Sequence, residues 1–284
     1  MVVVKLKPLE EILEKLRGFR RVFIFGCELG SGRCKNGGLR EALKLAGKLD
    51  EKGFEIVGIT SPGGTCVLEK VDIVKKDKAK AKKRIVENLI NKLEKEVEEI
   101  NKLRELSKHE GLLSRLLREY VLKEKEEHVG LLKKELSPLL LQLSAIEGLS
   151  KADVILSLAC GAGTQLIAEN VDIPVITGVT TLFIGAEREG RFFNEYCIAC
   201  GDCIISDTGG ICPIARCPKS LTNGPCGGAI EGQCEVDKEL PCIWYRIAER
   251  MKKIGTFNRL KETVPLKDYS KSVYPRRLIL EEKS

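Results

Sequence analysis

Eight cysteines fall within 46 residues, at Cys197, Cys200, Cys203, Cys212, Cys217, Cys226, Cys234 and Cys242. The stretch that holds them is almost empty of the apolar residues a core needs. Eight unligated thiols would leave such a segment with little to hold it folded, whereas a bound metal supplies folding free energy directly. The run opens as Cys197-Ile198-Ala199-Cys200-Gly201-Asp202-Cys203. Two residues between ligands let consecutive thiolates each take one corner of a metal group, and Gly201 lets backbone amides turn toward the sulfurs. This is the spacing of bacterial ferredoxins, whose fourth cysteine precedes a proline. Here Pro213 follows Cys212 and Pro218 follows Cys217, at a longer distance from the triplet.

Eight thiolates are enough for two four-thiolate clusters, so two [4Fe–4S] sites are expected. The first three cysteines share one of them. Cys226, Cys234 and Cys242 are evenly spaced, and Gly224-Pro225-Cys226-Gly227-Gly228 reads as a tight loop around a cluster. Ligands cross between clusters in ferredoxins, so the partition of the eight stays open. Structural zinc, which also uses four-cysteine sites, is the alternative.

The rest of the composition limits the classes available. A length of 284 residues suggests about two domains. Apolar residues make up 43% and charged residues 31%, as in soluble globular proteins. No apolar run approaches the roughly 18 residues of a membrane span. The start, Met1 to Pro8, has no apolar region long enough for a secretory signal. A cytoplasmic location is therefore expected, where reducing conditions argue against disulfides. The net charge of +7 is modest and spread out. Only Lys75 to Arg84 is strongly basic, and it lies among helix formers, so nucleic acid is not the expected partner. The histidines, His109 and His128, both sit in a charged helical region. Metal chemistry in this chain is thiolate chemistry.

Ahead of the cysteine segment, helix and strand signals alternate. Leu9 to Leu16 has helical spacing. Arg21 to Phe25 is a short apolar run ending at Gly26-Cys27, the mark of a buried parallel strand. Leu39 to Lys52 is an amphipathic helix stopped by Gly53. Phe54 to Ile59 is the next strand, Asp153 to Leu158 another, and Ile173 to Thr177 one more. Thr164 to Glu169 reads as a helix. Between them, about Val74 to Ser150, the chain is rich in Lys, Glu and Leu. Leu89, Leu93, Val97 and Ile100 form one stripe, and Leu112, Leu113, Leu116, Leu117 and Val121 form a second. Gly111 between them marks a turn, so a long antiparallel helical hairpin is expected, with its charges on a solvated face. The expected fold is α/β. Residues 1–190 form a parallel-sheet, Rossmann- or flavodoxin-like domain with the hairpin inserted at 74–150. A loop-rich cluster-binding domain occupies 191–284 and closes with a helix over Leu240 to Ile254.

The other four cysteines have a pattern of their own. Cys27, Cys66 and Cys160 each follow the carboxyl end of a predicted strand, and Cys34 shares the loop of Cys27. In an open parallel sheet those ends lie along one edge, where ligands bind. A third four-thiolate site at Cys27, Cys34, Cys66 and Cys160 is expected, holding a cluster or zinc. The alternative is that Cys66 and Cys160 are small buried residues. Gly161-Ala162-Gly163 lacks a dinucleotide fingerprint and reads as a packing turn. Trp244 and Tyr245 are expected to cover a cluster. No Ser/His/Asp or paired-carboxylate arrangement points to hydrolysis, so no catalytic residue is assigned.

The motifs Thr208-Gly209-Gly210-Ile211-Cys212-Pro213, Cys217-Pro218-Lys219-Ser220-Leu221, Asn223-Gly224-Pro225-Cys226-Gly227-Gly228, Gly232-Gln233-Cys234-Glu235-Val236 and Pro241-Cys242-Ile243-Trp244 resemble the C-terminal domain of methylenetetrahydrofolate reductase. From Gly26-Cys27, through Ser157 to Gly161, to about Ile254, the chain is similar to the cysteine-rich iron–sulfur subunit of two-subunit methylenetetrahydrofolate reductases. Gly30 stands where that family carries a middle cysteine in its first loop, and the helical hairpin is an insertion relative to it. The resemblance implies a subunit that is not catalytic alone. It would relay electrons between a carrier such as ferredoxin and the flavin of a TIM-barrel partner that reduces methylenetetrahydrofolate or a related methylene-pterin. The alternative is a zinc-stapled scaffold of a one-carbon multi-enzyme complex.

Overall fold

The computed structural model describes residues 1–67, 76–105, 112–189, 192–272 and 275–278, with side chains left undescribed at 76–82, 112–118 and 136–143. The chain divides into two compact units, Val4–Thr181 and Leu182–Ser284, with Met1–Val3 joining the latter. The division falls within two strands, β1 (Val2–Leu6) and β6 (Val179–Arg188).

The first unit is built on a four-stranded parallel sheet of order β3-β2-β4-β5. Its strands are β2 (Arg21–Phe25), β3 (Glu55–Thr60), β4 (Val154–Ser157) and β5 (Val175–Thr177). Strand β2 is fully buried from Val22 to Phe25, and so is all of β4, which is why both read as unbroken apolar runs. Three helices serve this sheet: α1 (Leu9–Lys15), α3 (Leu39–Asp50) and α6 (Gly161–Ala168), with a single turn, α2 (Gly30–Arg33), in the first loop. Helix α3 buries Ala42, Leu45, Ala46 and Leu49 at helical spacing. Phe23, Phe25, Ile155 and Ile167 centre the core, with Ala145 and Ala152.

The inserted hairpin is present as α4 (Lys76–Glu105) and α5 (Leu112–Lys151), which pack together. Their antiparallel direction shows in the ion pairs. Glu99 meets Lys125 at 2.6 Å, and Glu96, one turn earlier, meets His128, close to one turn later, at 3.4 Å. The seam is apolar at Val86, Ile100, Val129 and Leu132, all buried. Leu89 and Leu93 are half-buried as the first stripe requires, whereas Val97 and Val121 are exposed. The expected turn at Gly111, the side chains of Leu112, Leu113, Leu116 and Leu117, and His109 lie outside the described residues.

The second unit contains the antiparallel pair of β6 with β7 (Phe192–Cys197). It continues into loops, a helical turn α7 (Pro213–Arg216) and the amphipathic helix α8 (Ile243–Lys253). A three-stranded sheet of order β1-β6-β7 runs through this pair. Helix α8 buries Ile243, Trp244, Ile247 and Met251 and turns Arg250, Lys252 and Lys253 outward in its last turn. Around that face gather Ile211, Leu221, Ala229 and Leu260, together with two cysteines, Cys217 and Cys242. Among the described residues no helix is long and apolar enough to cross a membrane.

Candidate metal centre

The cysteine triplet starts where β7 ends. Cys197 is the last residue of that strand, and the chain then turns through the left-handed region at Ala199 and Gly201. The turn brings the Ala199 amide to 3.2 Å from Cys197 Sγ. A backbone N–H donating to sulfur favours the thiolate over the thiol. Burial pushes the Cys200 thiol up, but hydrogen bonding from the Asp202 backbone and from Lys267 outweighs it and leaves this thiol below its ordinary value. Lys267 is 1% exposed. Such a cation is the environment in which a thiolate ligand forms.

Cys212 caps the turn α7 and receives the Ala215 amide on its sulfur at 3.5 Å. That turn packs against β7, with the Arg216 guanidinium 4.8 Å above the Tyr196 ring. The turn, with Cys212 before it and Cys217 after it, thus lies against the strand that ends in Cys197. The triplet loop is clamped by the chain's C-terminal segment. Asp202 accepts from the Asp268 amide at 3.1 Å and pairs with Lys271 at 3.4 Å, and Arg276 donates to the Ala199 carbonyl at 2.7 Å.

The last four cysteines meet elsewhere in the unit. Cys217, Cys226, Cys234 and Cys242 line one cavity, walled by Leu221, Pro225, Ile243 and Trp244. Short antiparallel bridges join Gln233 to Ile230 and to Pro241. Around them the Cys234 amide donates to the Leu240 carbonyl at 2.8 Å and the Cys242 amide to Gly232 at 2.7 Å. These bonds hold Cys234 and Cys242 on neighbouring strands of one small loop. Lys219 pairs with Glu235 at the rim. Cys242 is buried, Cys217 and Cys234 half-buried and Cys226 exposed. The indole N–H of Trp244, itself buried, has no hydrogen-bond partner. A larger cavity of about 780 Å³, lined by Trp244, Tyr245, Phe257 and Arg259 among others, contains no cysteine.

In the first unit, the loops bearing the other four cysteines converge at the carboxyl edge of the parallel sheet. Gly37 lies so close to the Leu158 carbonyl that a Cβ there would overlap it, and Gly163 is pressed in the same way on Thr65, next to Cys66. The Cys27 amide donates to the Gly37 carbonyl at 2.9 Å. Cys27 and Cys34 are buried, Cys160 is half-buried and Cys66 is exposed. The Cys34 thiol reaches carbonyls, Ser31 at 3.3 Å and Val4 at 3.5 Å. Among the described residues, no three His, Cys, Asp or Glu side chains stand close enough to hold a single metal ion. This applies to the sheet edge and to the eight-cysteine unit alike.

Two of the eight cysteines carry a feature that suits a thiolate-bound metal group, a backbone amide on sulfur at Cys197 and at Cys212. The space is tighter. The four-cysteine cavity measures about 20 Å³, enough for about one water, so an inorganic cluster enters only if the loops bearing Cys226 and Cys234 move apart. Lys267 and Arg276 escaped the reading of the sequence. They are single charged residues in a polar tail, and only the return of the chain brings them to the triplet, where Lys267 meets Asp202.

Over residues 176–270 the chain matches a family described as methylene-tetrahydrofolate reductase C terminal. The match is to the family the cysteine motifs resemble, and it spans all eight clustered cysteines together with Lys267 and Asp268. No curated protein and no solved structure matches the chain.

Proposed function

We propose that this chain is a non-catalytic electron-transfer subunit. It carries two [4Fe–4S] clusters on Cys197, Cys200, Cys203, Cys212, Cys217, Cys226, Cys234 and Cys242, and serves a flavin-containing, TIM-barrel methylenetetrahydrofolate (or methylene-pterin) reductase subunit. The observation that carries the reading is that the family match coincides with the eight-cysteine unit. When bound, the clusters supply one-electron transfer between a carrier such as ferredoxin and the partner's flavin. The chain's own residues hold the thiolates, exclude water and tune potential through burial and hydrogen bonds to sulfur. Amides such as that of Ala199, and the buried Lys267 cation, stabilise negative charge at the first thiolates. A third site at Cys27, Cys34, Cys66 and Cys160 belongs to the same proposal, since the loops bearing them meet at one sheet edge.

One observation favours a second reading. The cavity among Cys217, Cys226, Cys234 and Cys242 is small, so that thiols drawn together there would enclose a single zinc ion with less rearrangement than a cluster, and zinc would make the unit a scaffold of a one-carbon enzyme complex. Iron and acid-labile sulfide in the anaerobically purified chain, with a reduced-state EPR signal, and capture of a flavoprotein with it support electron transfer. Zinc without iron overturns it.

A further inference from the structure

The geometry points to a definite partition of the eight cysteines: Cys197, Cys200, Cys203 and Cys212 bind one metal group, and Cys217, Cys226, Cys234 and Cys242 bind the other. This deepens the metal-binding reading above and rests on the eight thiols being ligands. It does not depend on which metal they hold.

Two independent features carry it. Cys217, Cys226, Cys234 and Cys242 line a single cavity, and none of the other eight-cluster members lines it. The loop bonds at Gly232, Cys234, Leu240 and Cys242 fix two of these cysteines side by side. Cys242 lies at the N-terminus of the eleven-residue helix α8. Trp244 is buried and borders the same cavity. Separately, α7 packs on β7, the strand that ends in Cys197, through Arg216 on Tyr196. Cys212 and Cys217 flank this four-residue turn, both in extended conformation, and only Cys217 lines the cavity. The turn therefore sends its two flanking cysteines to different sites. The proline after each cysteine marks the last ligand of the first site and the first ligand of the second. In this arrangement ligands follow chain order and do not cross over as they do in ferredoxins.

The test is double-variant metal counting on the full chain. Cys226→Ala and Cys234→Ala each remove one metal group, and the pair together removes no more than either alone. Cys200→Ala combined with Cys234→Ala removes both. Additive loss for Cys226→Ala with Cys234→Ala, or non-additive loss for Cys200→Ala with Cys234→Ala, overturns the partition. Total metal, iron plus zinc, is the readout, so a zinc protein tests the partition as well as an iron one. Should single variants lose all metal through unfolding, the unsubstituted chain gives the answer. Stepwise chelation followed by thiol alkylation and peptide mass spectrometry then follows which cysteines are released together. Cys217, Cys226, Cys234 and Cys242 are expected to become labelled as one set, and Cys197, Cys200, Cys203 and Cys212 as another. Labelling of Cys212 with the Cys217 set contradicts the assignment.

Discussion

The two units of this chain stand up by different means. The parallel-sheet unit is a conventional core: β2 and β4 are buried along their length, and Phe23, Phe25, Ile155 and Ile167 pack between helices. The cysteine unit has a thin core on one face of α8, and two of the side chains in that core are cysteines. Loops make up most of the rest, stitched by turns and by a C-terminal segment. The first unit gets its free energy from apolar burial. The second has a thinner core, and on the proposed reading metal bound by its thiols would supply the rest.

This contrast can be broken most strongly by removing metal. Chelation under anaerobic conditions is expected to abolish protection of backbone amides in residues 192–272 while leaving β2 and β4 protected, as read by hydrogen exchange. Equal protection before and after would show that the cysteine unit folds without metal. A smaller effect of opposite location follows from Phe23→Ala, a cavity in the apolar core that costs about 3–5 kcal/mol. It should lower the denaturant midpoint of the sheet unit and leave metal per chain unchanged. Loss of metal in that variant would tie the two units into one cooperative block.

Truncation after Pro265 sharpens the comparison within the cysteine unit. It removes Lys267, Asp268, Lys271 and Arg276, which clamp the Ala199–Asp202 loop. Metal at the first four cysteines should be lost preferentially, and alkylation should mark Cys197, Cys200 and Cys203 ahead of Cys226 and Cys234. Uniform labelling of all eight would deny the clamp a local role.

The smallest expected effect is electrostatic and belongs to the sheet unit. The Asp153 carboxylate accepts from the Arg21 guanidinium at 2.6 Å and from its backbone amide at 2.9 Å. First the guanidinium and then that amide lower its pKa to about 2. Because this value lies below the ordinary carboxylate pKa of about 3.9, the contribution is fully present above about pH 4 and is lost as pH falls through about 2. Acid unfolding of Asp153→Asn should be flatter across that window. An unchanged pH profile would mean that the pair, exposed as it is, contributes nothing measurable.

How much of this was legible in the sequence follows the same contrast. Strands β2 and β4 were visible because burial on both faces writes continuous apolar runs such as Val22 to Phe25, and the half-buried β3 and β5 showed as short apolar runs beside them. The hairpin was visible from its Lys, Glu and Leu composition. Strands β1, β6 and β7 were not. Val179–Arg188 is exposed at seven of its ten positions and buried at Val179 and Gly185, so no alternation survives to be read. In the cysteine unit the spacing singled out eight candidate ligands but not which of them share a cavity. Cys212 and Cys217 are five residues apart, yet only Cys217 lines the cavity with Cys226, Cys234 and Cys242, which no residue pattern announces. The Lys267 and Arg276 contacts join positions 65 and 77 residues apart, beyond the reach of local signals.

The most direct test of the account is metal analysis of anaerobically purified protein: iron, acid-labile sulfide and zinc per chain, with EPR after dithionite reduction. About eight irons with matching sulfide and a reduced-cluster signal are predicted for the two sites of the cysteine unit, and about twelve if the sheet-edge cysteines hold a third cluster. Zinc in place of iron, with no signal on reduction, would contradict electron transfer and leave the eight thiols as structural ligands alone.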